Sequence, residues 1–321
     1  MKPARRPTAT AVAGALCIST SAIVMKLAGS SASTLALGRS GFALPVLGLL
    51  LWLERRRILR RTGEPAPRMT SRARWLARTG GVFLAADLIM WSHSIDEIGA
   101  GLGTVLSNLQ VLIVAGVGWL VLGERPRRSL LAAAPAMVLG LLLVGDVLTG
   151  GGYGADPALG VVYGIGVAVF YSIYILLLRQ SASGDSPPVE TLFEATLGAT
   201  VGAFVLGAAL RDFRLGPAWP ALGWLVVLAL TSGVVGWLLL TISMPRLPAW
   251  LASSLLLVQP AGSVLLGAVI LRERPTLPQL AGVVVMLGGV LVATRGAGGA
   301  HEVAAIEECD VVQEPDANIS G

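Results

Sequence analysis

The sequence predicts an all-α integral membrane protein of ten transmembrane helices, arranged as two five-helix repeats of inverted topology. Three observations predict this fold: a low charge content, ten apolar segments, and one stretch that occurs twice. Of the 321 residues, 54% are hydrophobic and 13% are charged, and the mean hydropathy is +0.75. Soluble domains carry about a quarter charged residues, so a soluble fold of this composition would lack the charge that its surface needs.

The apolar segments are bounded by turn residues or charges. They fall at 9–29, 32–53, 76–95, 98–122, 129–147, 158–178, 189–210, 219–242, 249–271 and 278–295. Since one membrane span needs about 20 apolar residues, a chain of this length holds about ten spans. We therefore predict two repeats at 9–147 and 158–295, a short amino-terminal segment at 1–8, and a disordered acidic tail at 296–321.

One stretch occurs twice, and it defines the repeat. AGLGTVLSNLQVLIVAGVGWLVLGERP begins at residue 100, and AWLASSLLLVQPAGSVLLGAVILRERP begins at residue 249. The two align without a gap, so that Gln110 matches Gln259 and the Glu-Arg-Pro turn at 124–126 matches the one at 273–275. An identical charged turn at the same offset indicates an internal duplication.

The basic residues predict the orientation of the spans. Lys and Arg concentrate at the amino end, after the second span and after the fourth: Lys2, Arg5, Arg6, Arg55, Arg56, Arg57, Arg60, Arg61, Arg68, Arg72, Arg74, Arg125, Arg127 and Arg128. These segments share one side, which the positive-inside rule makes cytoplasmic. Both termini are then cytoplasmic in a bacterial-type inner membrane. Because five spans is an odd number, the second repeat enters inverted, with Glu124 inside and Glu273 outside.

The chain resembles the drug/metabolite transporter superfamily, EamA type, in two stretches, VGWLVLGERPRRSLLAAAPAMVLGLLLVG and LLGAVILRERPTLPQLAGVVVMLGGVLVAT. Arg39 in LALGRSGFALP matches an arginine that is usual in that family. The resemblance covers residues 9 to 295. It implies transport of small metabolites or drugs, without fixing the substrate. A Glu-Pro or Gln-Pro pair is usual in the fourth span of each half; the second half has Gln259-Pro260 and the first has Gln110-Val111, which leaves a helix break there open.

Two charged side chains inside apolar spans are the first candidates for function, because such groups are costly in a bilayer. Arg39 and Asp87 each lie about 10–12 Å from the outer end of their span. Two interpretations stay open. The residues form a structural ion pair, or Arg39 meets a substrate carboxylate while Asp87 acts as a coupling carboxylate. Lys26, near the outer end of the first span, is expected to reach the lipid headgroups.

Polar and aromatic residues supply further candidates. Asn108 and Gln110 in the fourth span, and Gln259 in the ninth, either hydrogen-bond between helices or face the substrate in a central cavity. Pro260 removes a backbone donor beside Gln259. Trp91 either stacks on a ligand or anchors at the interface.

The remaining patterns concern packing. Tyr163, Phe170 and Tyr174 share one face of the sixth span, as a packing stripe, a lipid-facing belt or a ligand wall. Small residues match between the fifth and tenth spans, Ala132, Ala136 and Gly140 against Ala281, Val285 and Gly289. These spans either pack together or form a homodimer contact.

Other functional classes fit less well. Gly38-Arg39-Ser40-Gly41 with His93 matches an intramembrane protease pattern, but Ser40 lies in mid-span. A lipid-linked transferase would show paired surface carboxylates, and a membrane scaffold or sensor stays open. The net charge of +5 does not indicate a nucleic-acid site, because the basic residues lie at the ends of the apolar segments. With two histidines and two distant cysteines, the sequence predicts no metal, cofactor or disulfide, and no enzyme.

We expect a secondary transporter that works by alternating access among membrane lipids. Its substrate would be a small polar or amino-acid-like metabolite, or a drug-like compound, and export is favoured over uptake. The driving force would be a proton or an exchanged metabolite, because the sequence has no nucleotide-binding loop.

Overall fold

The computed structural model of the chain describes residues 7–122, 128–144, 153–181, 188–213, 219–243, 247 and 257–295. The regular structure in these ranges is helical. The helices are α1 (Pro7–Ala28), α2 (Ala32–Thr62), α3 (Ser71–Ile98), α4 (Ala100–Leu106), a 3-10 turn (Ser107–Leu109), α5 (Gln110–Leu122), α6 (Arg128–Val144), α7 (Pro157–Ser181), α8 (Pro188–Leu210), α9 (Ala221–Leu228), a π-helical turn (Ala229–Gly236), α10 (Trp237–Ser243), α11 (Val258–Ile270) and α12 (Leu277–Arg295).

The all-α prediction is confirmed, and each predicted span coincides with helix in the described ranges. By length and apolar character alone, five of these helical stretches are able to cross a membrane, so the count of ten spans stays a prediction. Three predicted features lie outside the described residues: most of the amino-terminal segment, the first Glu-Arg-Pro turn, and the acidic tail at 296–321. Helix α2 continues to Thr62 instead of ending near residue 53.

The main packing joins helices from opposite halves of the chain. Helix α3 packs along α7 and α8, α2 packs on α8, and α1 packs on α11 and on the α9–π–α10 segment. The packing follows the repeat: α1 of the first half packs on α11 of the second half, and correspondingly α7 of the second half packs on α5 of the first half. Neither half therefore has a core of its own among the described helices.

Glycines permit the closest of these approaches. A Cβ built on Gly81 of α3 would collide with the Ala195 carbonyl of α8, and one on Gly198 of α8 would collide with the Arg78 carbonyl. The backbones of α3 and α8 touch directly at this crossing.

Helices α6 and α12 pack against each other within the chain, which confirms the intramolecular alternative for the small residues. The contact contains Gly140 and Gly289 of the predicted stripe, but Met137 and Met286 in place of Ala136 and Val285. A Cβ on Gly140 would lie 2.8 Å from Met286 Cβ, and one on Gly289 would lie 2.6 Å from Met137 Cγ, whereas Ala132 and Ala281 are exposed. A homodimer stays a prediction, but the small residues of α6 and α12 no longer support it, because they pack within one chain.

Candidate functional site

A cavity in the middle of the bundle is lined by both halves of the chain. Its volume is about 70 Å³, enough for several waters or a small polar group. Its lining residues are Ile18, Arg39, Leu84, Asp87, Trp91, Thr104, Ser107, Asn108, Gln110, Val167, Tyr171, Trp237 and Gln259. The structure thus brings six of the residues singled out from the sequence around one cavity: Arg39, Asp87, Trp91, Asn108, Gln110 and Gln259.

Arg39 and Asp87 both face this cavity, but they form no ion pair in the part of the chain that the structure describes. Asp87 is 6% exposed, and its Oδ1 atom has no hydrogen-bond partner among the described residues. The Arg39 guanidinium instead lies over the Trp91 ring, with Cζ 6.0 Å from the ring centroid. A cation at this distance from an indole is stabilised by the ring quadrupole. Neither side chain is therefore held by a salt bridge to the other.

Two uncharged side chains of the cavity carry unpaired polar atoms as well. Trp91 Nε1 and Gln110 Oε1 are buried and lack a hydrogen-bond partner within the described protein. An unsatisfied buried donor or acceptor costs about 1–3 kcal/mol. With Asp87 Oδ1, the residues of the cavity wall thus carry two acceptors and one donor that have no hydrogen-bond partner within the described protein.

The fourth span stays helical at Gln110-Val111 and tightens at the cavity into one 3-10 turn. Helix α4 ends at Leu106, and the chain resumes as α5 after one 3-10 turn. Ser107 Oγ donates to the Thr104 carbonyl at 2.7 Å, and Asn108 Nδ2 donates to the Val105 carbonyl at 3.1 Å. Side chains that bind backbone carbonyls in this way compete with the helical ladder.

Gln259 and Pro260 lie in the first turn of α11 as described, where the missing N–H of a proline needs no partner. The Gln259 carbonyl accepts a hydrogen bond from Ser19 Oγ at 3.0 Å, and Ser263 Oγ donates to the Ser19 carbonyl at 3.0 Å. Pro260 is buried and is not among the cavity residues. The carbonyl that it was expected to free belongs to a residue outside the described ranges.

The aromatic stripe of the sixth span separates into different environments. Tyr163 stacks on His93 with ring centroids 5.1 Å apart, and Phe170 stacks on Phe83 at 6.3 Å. Both contacts belong to the packing of α7 against α3, so Tyr163 lies outside the cavity. Tyr174 lines a smaller neighbouring cavity, which shares Arg39, Leu84 and Trp237 with the central one.

Sequence reasoning missed Tyr171 and Trp237, which both line the central cavity. Tyr171 lies one turn after Val167, another cavity residue, but no sequence signal marked either residue. Trp237 follows the π-helical turn. A π turn alters the helical register, so extrapolation with a regular 3.6-residue period misplaces Trp237.

The protease pattern has no matching geometry. Ser40 Oγ donates to the Ala36 carbonyl of its own helix at 2.8 Å, while His93 stacks on Tyr163. These two residues therefore do not form the hydrogen-bonded nucleophile and base that the chemistry needs.

Comparison with known proteins gives a consistent result. The chain matches the family described as the EamA-like transporter family twice, over residues 7–145 and 158–295. It is 30% identical over 175 residues to an uncharacterized transporter of Archaeoglobus fulgidus, an alignment that covers 54% of this chain and 60% of the relative. A solved structure described only as "Crystal structure of protein" shares the fold, with a TM-score of 0.59, 19% identity, and coverage of 90% of this chain and 96% of that one.

Proposed function

Since the chain belongs to the EamA-like transporter family, we propose that this multi-pass membrane protein is a secondary active transporter of a small zwitterionic, amino-acid-like metabolite. It moves its substrate across the bacterial-type inner membrane by alternating access, with both termini in the cytoplasm and with export favoured over uptake. A proton or an exchanged metabolite supplies the driving force.

The observation that carries the substrate class is the set of unpaired groups around the central cavity. One cation, Arg39, and one carboxylate, Asp87, face the same space without pairing to each other. A zwitterion would satisfy both charges at once. Its remaining polar atoms would meet Trp91 Nε1 and Gln110 Oε1. The bonds of the zwitterion to Arg39 and Asp87 would be charge-assisted, and such hydrogen bonds are about twice as strong as those between neutral groups.

The packing between halves supports alternating access. Helices of the first half line the cavity together with helices of the second half, and their packing follows the repeat. In inverted-repeat transporters the substrate site lies between the repeats, and one repeat rocks against the other.

Counterflow in proteoliposomes tests the proposal. Proteoliposomes that contain the purified protein are loaded with an unlabelled amino acid. The entry of the same amino acid, labelled and added outside, is then measured for each amino acid in turn. We expect at least one zwitterion to accumulate. Asp87→Asn and Arg39→Gln should each lower its initial rate about tenfold or more, since a lost hydrogen bond to a charged group is worth about 1.5–3 kcal/mol.

Matched controls separate site effects from general damage. Glu64→Gln and Arg61→Gln remove the same charges at exposed positions near the end of α2 and should keep the wild-type rate. Accumulation of simple amines or simple carboxylates, but of no zwitterion, would overturn the substrate class. Full activity of both cavity variants would overturn the site.

A further inference from the structure

Glu273, in the second Glu-Arg-Pro turn, is a buried carboxylate that joins the two halves of the chain. It is 5% exposed. Its Oε1 accepts a hydrogen bond from the Ala100 backbone N–H at 2.6 Å, and Oε2 accepts one from the Gly101 N–H at 3.2 Å. Both donors belong to the first turn of α4, where the helix dipole favours an anion.

Lys26 adds a cation to the same junction. Its Nζ lies 3.9 Å from Glu273 Oε1 and donates to the Ile95 carbonyl at 3.3 Å. The expectation that Lys26 reaches the lipid headgroups is therefore wrong in this structure: the cation is held among helix ends. Four of these ends meet at the carboxylate, those of α1, α3 and α11 and the beginning of α4.

The backbone holds Glu273 in place on both sides. The Glu273 N–H donates to the Gly267 carbonyl at 3.1 Å, which caps the carboxyl end of α11. A Cβ on Gly101 would lie 2.7 Å from Val264 Cα, and a Cβ on Gly267 would collide with Glu273 Oε2. Helices α4 and α11 therefore touch at this end with no room for further atoms.

The junction shares α4 and α11 with the central cavity. Thr104 lines the cavity and is one helical turn, about 6 Å, further along α4 than Ala100. Gln259, another lining residue, belongs to α11, the helix that ends at the Glu273 turn. The helices that Glu273 ties together thus contribute Thr104 and Gln259 to the wall of the cavity.

The duplication supplies an internal comparison. Glu124 matches Glu273 in sequence, Gly118 matches Gly267 and Ala249 matches Ala100, but two other parts of the junction are not repeated. At the corresponding shift of the numbering, Gly101 becomes Trp250 and Lys26 becomes Ile175. Lys26 and Gly101 are therefore specific to one copy of the repeat.

We propose that Glu273 is a latch that closes the outer side of the transport cavity. Its contacts with α4 and Lys26 hold α4 against α11, and their release opens the cavity to the outside. The latch rests on the proposed alternating-access function, because it supplies the outer closure which that cycle needs.

Cysteine accessibility tests the latch without a substrate. Ser107→Cys is made in a chain that also carries Cys17→Ser and Cys309→Ser, and intact cells are treated with a membrane-impermeant maleimide. We expect Glu273→Gln to raise the labelling rate at residue 107 about tenfold. Gly267→Ala, which keeps the charge but displaces the carboxylate, should raise it as well. Glu124→Gln should label at the parent rate.

Size-exclusion chromatography of each variant identifies those that fold. The latch is overturned if the variants that fold, among Glu273→Gln, Gly267→Ala and Lys26→Met, label at the parent rate. It is also overturned if Glu124→Gln raises labelling as much as Glu273→Gln. Because labelling needs no transported compound, a failure of the latch is distinguishable from a failure to find transport by counterflow.

Discussion

At the scale of single residues, the cavity keeps opposite charges apart. Burial of an ionised group is costly unless the group is paired, yet Asp87 Oδ1 has no hydrogen-bond partner in the described structure and the Arg39 guanidinium lies over the Trp91 ring. The sequence left a structural ion pair and a substrate site as alternatives for these two residues. The geometry supports a role in binding, because a structural pair would bring the two groups into contact.

Exchange of the two charges separates these alternatives. We expect the double variant Arg39→Asp with Asp87→Arg to transport no faster than either single variant, because an anion at residue 39 would face the negative ring surface of Trp91. Initial counterflow rates of the double and single variants measure this. Recovery of the wild-type rate on exchange would indicate that the two residues act only as a pair.

The residues found from sequence were those whose chemistry is unusual for a bilayer. Arg39, Asp87, Asn108, Gln110 and Gln259 are conspicuous because charges and amides rarely occur inside apolar segments without a reason. Tyr171 and Trp237 were missed because an aromatic residue in an apolar helix has the same appearance whether it lines a cavity or packs. For the same reason Tyr163 was included as a candidate, although it packs on His93.

At the scale of elements, apolar segments predicted where the helices lie but not where they are interrupted. The 3-10 turn at Ser107–Leu109 coincides with side chains that bind backbone carbonyls, and the π turn at Ala229–Gly236 contains no proline. Both interruptions immediately precede cavity residues, Gln110 and Trp237. Local departures from the α-helix are frequent at functional sites, and here they set which side chains face the cavity.

The crossing of α3 and α8 gives a stability prediction at this scale. Gly198→Leu should lower the melting temperature by several degrees or prevent folding, because its Cβ would collide with the Arg78 carbonyl and overpacking costs about 1–3 kcal/mol or more. Gly288→Leu on α12 is the matched control, since a Cβ there meets no atom within 4 Å. Thermal unfolding in detergent measures both variants. Equal melting temperatures would contradict direct backbone contact between α3 and α8.

At the scale of the whole molecule, the helices of each half pack mainly on helices of the other half. Because α3 packs on α7 and α8, we expect residues 1–150 expressed alone to be degraded in the membrane. Co-expression with residues 151–321 should restore an assembled protein that copurifies. Immunoblots of the membrane fraction, with each fragment tagged, measure both results. A stable isolated first half would contradict this expectation.

This packing between the halves also has a consequence for synthesis. A ribosome delivers α1 to α6 to the membrane before their main partners exist, so Arg39 and Asp87 enter the bilayer before the cavity that will enclose them is complete. The time needed to translate the second half is thus a time during which the first half carries exposed polar faces. Slower elongation in this interval would expose the first half to membrane proteases for longer. The yield of the protein would then depend on translation speed as well as on thermodynamic stability.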